Sequence, residues 1–360
     1  MRIGILTFHR AHNYGAVLQC FALQRFLQNQ GHQVKVIDYT KKDLWRYYEW
    51  FKREEVRYAL SSPKKALNRC AKLCLKWARI APRYYAFVRF RKHNLDLCSL
   101  NEIDRHPFDL ILIGSDQVWN PSITNGFDVY YWGQFNRPPK TKVATYAASL
   151  MRIWNKEDLQ RVHEYLKSLN AISVRERDVA IFLKGLDSSL DPVVVPDPVF
   201  LLSVLEWKGK AIEPPIDEAY VFFYQAKDSE DVYQIAARLA SEKKKRLVVL
   251  SANVNGRNSY EARNASPLSF LGWIKNAEMV VTSSLHATAL SIILNKDFIC
   301  VDLGVGEDRR LKSLLEIFGL GHRFIHTYDD LCTLSFEPYD CNEIIHCLQN
   351  TAARFIASIV

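Results

Sequence analysis

A strand, a polar loop, a helix and a second strand succeed one another within residues 2–39, and this order restricts the fold more than any other feature of the chain. Residues 2–8 (RIGILTF) form an apolar run of strand length. A polar loop from His9 to Asn13 follows, then a helical pattern carrying Val17, Phe21, Leu23 and Leu27 that ends near Gly31. Gln33 to Tyr39 reads as the next strand. Two parallel strands need a crossover connection, usually a helix, so this unit predicts a parallel sheet.

The alternation continues. Strands are predicted at Asp109–Gly114, Lys142–Tyr146, Ile172–Val174 and Pro192–Val195, with a helix between Asn155 and Leu169. A second series begins near Glu218 with strand Ala219–Tyr224, helix Asp231–Glu242, strand Arg246–Ser251, a helix near Pro267–Lys275 and strand Met279–Thr282. Helix His286–Leu294, strand Asp297–Val301 and helix Arg309–Phe318 complete it. Two such series predict an α/β fold of two Rossmann-like domains, 1–205 and 206–340, and 360 residues is a length that accommodates them. The polar stretch Trp207–Asp217, with Pro214 and Pro215, is the expected linker. A final helix, Asn342–Ser358 within 341–360, is expected to pack back on the first domain.

No stretch of ~18 apolar residues suits a membrane span. The N-terminal run stops at His9, Arg10 and His12 with no small-residue cleavage site, so a signal peptide is not expected. The eight cysteines show neither C-x-x-C nor zinc-finger spacing, and they are read as reduced thiols of a cytoplasmic protein.

Charge is concentrated in one place. The net charge is +9, yet between Lys41 and His93 sixteen Lys/Arg face four Asp/Glu, a local +12. Eleven aromatics share that segment, among them Trp45, Tyr47, Tyr48, Trp50, Phe51 and Trp77. It reads as a basic helical insertion, about 41–95, made of hairpins. In a helix over 64–80, Lys65, Arg69, Lys72, Lys76 and Arg79 make one cationic stripe, with Leu67, Cys70, Cys74 and Trp77 opposite. A solvated surface helix has this pattern. So does a peripheral helix on an anionic membrane surface, such as the cytoplasmic face of the inner membrane. No recognition motif accompanies the charge, so nucleic acid is not the expected partner.

Ligands of open α/β sheets sit beyond the carboxyl ends of the strands, so the residues there are the candidates. Asn13-Tyr14-Gly15 opens a helix, where free N–H groups suit an anion or a sugar hydroxyl, or simply a cap and turn. Asp116, Gln117, Trp119 and Asn120 follow a glycine turn and would suit a sugar; an Asx turn beside a buried Trp is the plainer reading. Arg175 follows Ile172–Val174 and suits bidentate grip of phosphate or carboxylate, or an ion-pair cluster at a helix start. Ser283, Ser284 and His286 are delivered to a helix start, and Arg309 and Arg310 to another. G-x-G-x-x-G, Walker A, G-x-S-x-G, HExxH and EF-hand patterns do not occur.

Six segments together resemble the polysaccharide pyruvyl transferase family: Thr7–Tyr39, Ile113–Pro121 (IGSDQVWNP), Ala144–Ser149 (ATYAAS), Ser173–Glu176 (SVRE), Asp197–Leu202 (DPVFLL) and Asn276–Leu294. The resemblance implies two Rossmann-like domains facing a cleft, as in GT-B glycosyltransferases. It implies transfer of pyruvate from phosphoenolpyruvate to two hydroxyls of one hexose in a cell-surface polysaccharide precursor, free or lipid-linked, giving a cyclic ketal. No metal or further cofactor is implied, phosphoenolpyruvate being a co-substrate. Carried over residue by residue, it implies donor binding by Arg175, Arg310, Ser283 and Ser284, and His286 as the acid/base. Asn13, Asp116, Gln117, Trp119 and Asn120 would face the acceptor. The sequence departs from the family pattern at Arg310, where some relatives have Lys, at Ala287, where Gly is common, and at Ser266-Pro267-Leu268. Two rival readings are a nucleotide-sugar glycosyltransferase and a non-catalytic envelope-assembly protein. Against the first, Glu307 and Glu316 are nine apart where many such enzymes have eight.

Overall fold

The computed structural model describes residues 1–39, 41, 52–61, 63–105, 107–150, 154, 156–304, 308–332, 334 and 336–360. Residues 42–51, with Trp45, Tyr47, Tyr48, Trp50 and Phe51 of the basic insertion, lie outside the described residues, as does Glu307.

Short apolar runs made of β-branched residues, each followed by a polar loop and a helix, build two parallel sheets. The first contains β1 (Arg2–Leu6), β2 (Gln33–Asp38), β3 (Leu97–Ser99), β4 (Leu110–Ile113) and β5 (Lys142–Thr145) in the order β3-β2-β1-β4-β5. Helix α1 (Tyr14–Asn29) is the β1–β2 crossover, and α2 (Arg53–Leu60) with α3 (Pro63–Asn94) stands between β2 and β3. After α4 (Lys156–Lys167), the pair β6 (Ser173–Val174) and β7 (Val193–Val194), separated by α5 (Arg177–Leu186), extends this sheet through bridges Ala144–Ala171 and Ala148–Val174. Ile3 pairs with Val34 on one side and Leu110 on the other.

Helix α6 (Val204–Lys210) leads to the second sheet. Its strands are β8 (Tyr220–Gln225), β9 (Arg246–Ser251), β10 (Met279–Thr282), β11 (Phe298–Val301) and β12 (Phe324–Ile325), in the order β12-β11-β10-β8-β9. Helices α7 (Glu230–Glu242), α8 (Pro267–Asn276), α9 (Leu285–Ile293) and α10 (Asp308–Ile317) connect them, and α11 (Asn342–Ile359) ends the chain. Both orders are doubly wound, with switch points between β1 and β4 and between β8 and β10. Alternation along the strands divides the core. Tyr220, Phe222 and Tyr224 join a cluster shared with Ile3, Ile5, α1 and α8, whereas Val221 and Phe223 face the far side of their sheet.

Three expectations need correction. Trp207–Asp217 is not a free polar linker: Trp207 lies fully buried in α6, its Nε1 donating to the Val199 carbonyl at 2.9 Å, behind a Ser203–Glu206 capping box. The helix expected over 64–80 runs on to Asn94, because Phe87 and Phe90 continue its apolar period into the core. The strand expected at Pro192–Val195 is only Val193–Val194. The C-terminal helix crosses back to the first domain. Gln349 donates to the Phe200 carbonyl at 3.0 Å, and Lys142 Nζ to that of Ile359 at 3.1 Å.

Candidate active site

The turns at the carboxyl ends of the strands meet, and each motif segment touches the next. Ser149 Oγ donates to Glu176 Oε1 at 2.9 Å. Arg175 Nε donates to the same oxygen at 2.8 Å, and its Nη1 to Asp197 Oδ2 at 2.6 Å. That aspartate oxygen lies 3.3 Å from His286 Nε2. The imidazole in turn sits against Gly15: a Cβ there would overlap the ring and stand 2.7 Å from His286 Cβ. Arg175 and His286, from different domains, are thus joined by one carboxylate.

Local sequence explains these placements. Arg175 directly follows β6, and its backbone N–H donates to the Ala148 carbonyl at 3.2 Å. Asp197 caps the short turn Pro198–Leu201, with Oδ1 accepting from Val199 N–H at 3.1 Å. His286 is the second residue of α9, whose N-cap Ser284 accepts from Ala287 N–H. Burial alone would raise the Asp197 carboxyl pKa, but His286 and Arg175 beside it hold the group below the usual carboxylate range. Burial would likewise lower the Arg175 pKa; Glu176, Asp197 and Asp116 outweigh it and keep the guanidinium charged.

The cluster leaves capacity unused. Arg175 Nη2, Glu176 Oε2 and Ser283 Oγ are buried without a hydrogen-bond partner, and His286 Nε2 has only the 3.3 Å approach of Asp197. Buried polar atoms are nearly always satisfied, so a group of orphans in a cleft marks where a ligand's oxygens belong. A cavity of 480 Å³ adjoins Arg175 and Glu176, lined by these two, Asp197 and Leu285 on one side and by Arg310 and Ser313 of α10 on the other; His286 reaches it only through Asp197. Phe200, Leu314 and Phe318 make an apolar wall. With its carbonyl oxygen turned toward α10, Gln117 accepts from Arg310 Nη1 and Nη2 at 2.9 and 3.2 Å, so the Asp116–Gln117 turn reaches the same place. Arg309 points elsewhere and pairs with Asp178 at 3.6 Å on the surface. Among the described residues no group of His, Cys, Asp and Glu is placed to hold a metal ion.

The acceptor-side residues divide. Asp116, at φ 74°, turns its carboxylate to the Gln117 N–H at 2.8 Å. Asn13 is the N-cap of α1, accepting from Ala16 N–H at 3.3 Å, so its side chain first serves the helix. Trp119 does not face a sugar. It is 1% exposed, stacks on Trp132 at 4.7 Å, and spends its indole N–H on the Tyr131 carbonyl. Asn120 is also buried, its Oδ1 accepting from Ser122 N–H at 3.0 Å. For these two the plainer reading, an Asx turn beside a buried Trp, is the observed one.

The sequence model of the polysaccharide pyruvyl transferase family matches residues 13–304. The chain belongs to that family. Its six motif segments are the ones that meet in the cleft. A comparison with curated proteins finds no match. Among solved structures, this pyruvyl transferase family member is similar to the UDP-GlcNAc 2-epimerases of Methanocaldococcus jannaschii (11% identity, 100% of this chain and 99% of the other, TM-score 0.46) and Neisseria meningitidis (11%, 100% and 99%, 0.45). It is also similar to the glycosyltransferase SsfS6 of Streptomyces sp. SF2575 (12%, 98% and 96%, 0.40). Sequence reasoning assigned no role to Asp197 or Glu176. The signal available was their place beside strand ends, Asp197 just after β7 and Glu176 just after Arg175.

Proposed function

We propose that this protein transfers pyruvate from phosphoenolpyruvate to two hydroxyls of one hexose in a polysaccharide precursor, forming a cyclic ketal. The reading rests above all on the orphaned buried Nη2 of Arg175 in a cavity walled by a second arginine, Arg310, with His286 joined to Arg175 through Asp197. Phosphoenolpyruvate carries a phosphate and a carboxylate, and planar guanidinium groups suit both.

In this scheme His286 delivers a proton to C3 of the enol, leaving an oxocarbenium-like C2. A sugar hydroxyl adds to C2 and gives up its proton to the imidazole. Phosphate then leaves C2 with the electron pair of its C–O bond, and the neighbouring hydroxyl closes the ring. One hydroxyl proton balances the new methyl group and the other leaves on phosphate. Histidine suits a step that both gives and takes a proton near neutral pH. Asp197, locked against Arg175, fixes the ring's direction. Asp116 and Gln117 stand where the acceptor would enter.

The test incubates the protein with phosphoenolpyruvate and candidate oligosaccharide acceptors, following phosphate release and product mass. Pyruvylation with stoichiometric phosphate is expected, and His286→Ala should lower turnover by ~10²-fold or more while leaving the protein folded. Phosphoenolpyruvate neither bound nor consumed, with a nucleotide sugar consumed instead, would overturn the reading.

A further inference from the structure

We propose that α3 docks this protein on an anionic lipid bilayer through an apolar row that the fold leaves facing solvent. At ~100° per residue, Leu67, Ala71, Cys74, Leu75, Ala78 and Tyr85 fall on one face of the helix. All six are exposed, with Leu67 86%, Leu75 72% and Tyr85 53% accessible. The sequence put Leu67, Cys70, Cys74 and Trp77 together opposite the cations, but in the fold Leu73, Trp77 and Ile80 pack on another side and are half-buried. The first half of α3 therefore has one packed face and a second apolar face that no described residue covers. Contiguous exposed apolar surface of this kind marks an interaction site.

The charges beside the row choose the partner. Lys65, Lys72, Lys76 and Arg79 lie along one flank, and exposed Arg89 and Lys92 continue beyond Tyr85. Lys76 pairs with Glu55 at 2.6 Å, Arg69 lies over the Tyr58 ring, and Arg79 reaches the Asn255 carbonyl. The expected five-cation stripe is thus partly engaged within the protein, and Lys65 and Lys72 remain as its exposed members. An apolar row of ~27 Å between cations fits an anionic surface: side chains enter the acyl boundary while the amines stay with the headgroups. Among the described residues no helix is long and apolar enough to cross a membrane, so α3 would lie on the bilayer rather than span it. Arg83 of the same helix bonds the second domain, so the docked helix would hold both domains at the lipid surface.

The test is co-sedimentation of the full chain with phosphatidylcholine vesicles, with and without phosphatidylglycerol, at low and high salt. The expected result is binding to the anionic vesicles alone, reversed by salt. Leu67→Gln with Leu75→Gln, and separately Lys65→Gln with Lys72→Gln, should each weaken binding about tenfold or more. Circular dichroism checks that both variants keep their helices. Absence of binding at low salt, or parental binding by both variants, overturns the proposal. So does a concentration-dependent dimer abolished by the Leu67/Leu75 pair without vesicle binding, which would assign the row to a second copy.

Discussion

At the scale of single residues, the centre of the cleft is a chain of charges held out of water. Arg175 uses two edges of its guanidinium on Glu176 and Asp197 and keeps Nη2 for another oxygen. Lysine at 175 would preserve the charge but not the fork. Arg175→Lys is therefore expected to raise the phosphoenolpyruvate KM by about tenfold or more with a smaller change in kcat. An unchanged KM in steady-state kinetics would refute the grip assigned to this side chain. His12 makes a different prediction. It stacks on Phe87 at 5.1 Å, and burial, with the charge of Arg91, lowers its pKa to about 3. The unfolded ring titrates near ~6.5, so between those values the unfolded chain binds a proton that the folded chain does not. Stability should fall as pH drops below ~6.5, by at most ~1.4 kcal/mol per unit from this group. The carboxylates held low, Asp38 and Asp197, lose their stabilisation only as pH falls through and below the ordinary carboxylate range near ~3.9. Urea unfolding between pH 5 and 6.5 therefore lies above the carboxylates; His32, which burial and the N-terminal amine also hold low, adds to the slope there, and His12→Phe should reduce it. Equal slopes in parent and variant would show that the ring is not held neutral.

At the scale of elements, the meeting of α1 and α9 decides whether the two halves of the site face one another. Gly15, in the first turn of α1, is the close approach: the His286 ring occupies the space where a Cβ would stand. Gly15→Ala should displace the imidazole, lowering kcat by about tenfold or more, at an overpacking cost of ~1–3 kcal/mol that leaves the fold intact. Parental turnover in a stable variant would show that the ring's seat is irrelevant. The sequence was readable to very different depths here. Strand order and the βαβ crossover follow from apolar periodicity, a local property, and β1, α1 and β2 appear where that period puts them. Arg175 and His286 were legible because a strand delivers each to the carboxyl edge of its sheet. Asp197 was less so, because its partners are 22 and 89 positions away and no local pattern announces an ion pair closed by tertiary contact. Trp119 misled because an aromatic beside amides looks the same in a sugar site and in a turn, until stacking on Trp132 decides it. The exposed row of α3 was left open by the sequence because a helical period says which residues share a face, not whether anything covers it.

At the scale of the whole molecule, two sheets on separate stretches of chain must hold a cleft between them, and domain motion is the default unless the interface resists it. Besides the Asp197–His286 pair and the Phe200–Phe318 stack, three further elements bridge the halves among the described residues. In the middle, Tyr14 stacks on Phe270 at 4.5 Å and donates to the Ala265 carbonyl at 3.0 Å. On one side, α11 returns from the second domain to the first. On the other, α3 is anchored to the first domain, where Gln24 Nε2 donates to the Asn94 carbonyl at 3.2 Å. Its Arg83 then enters the loop after β9, where Nη1 donates to the Ser251 and Ala252 carbonyls at 2.6 and 3.1 Å. Nε donates to the Arg263 carbonyl at 2.5 Å and Nη2 to Asn258 Oδ1 at 3.1 Å. Arg83 is only 4% exposed, so deleting its donors leaves the Ser251, Ala252 and Arg263 carbonyls wanting partners, each worth ~1–3 kcal/mol if it stays dry, while Asn258 Oδ1 keeps the Ser251 N–H. Opening the loop to water relieves that penalty. Arg83→Met keeps most of the side-chain volume and removes every donor. The expected outcome is a shift toward an open arrangement: a larger radius of gyration by small-angle scattering, faster proteolysis within 252–265, and a raised phosphoenolpyruvate KM at near-parental kcat. The KM rises because closure must then be driven by the donor, and apparent affinity falls by the fraction of molecules already closed. Unchanged scattering together with an unchanged KM would mean that the other bridging contacts hold the cleft without Arg83, with α3 only covering its edge.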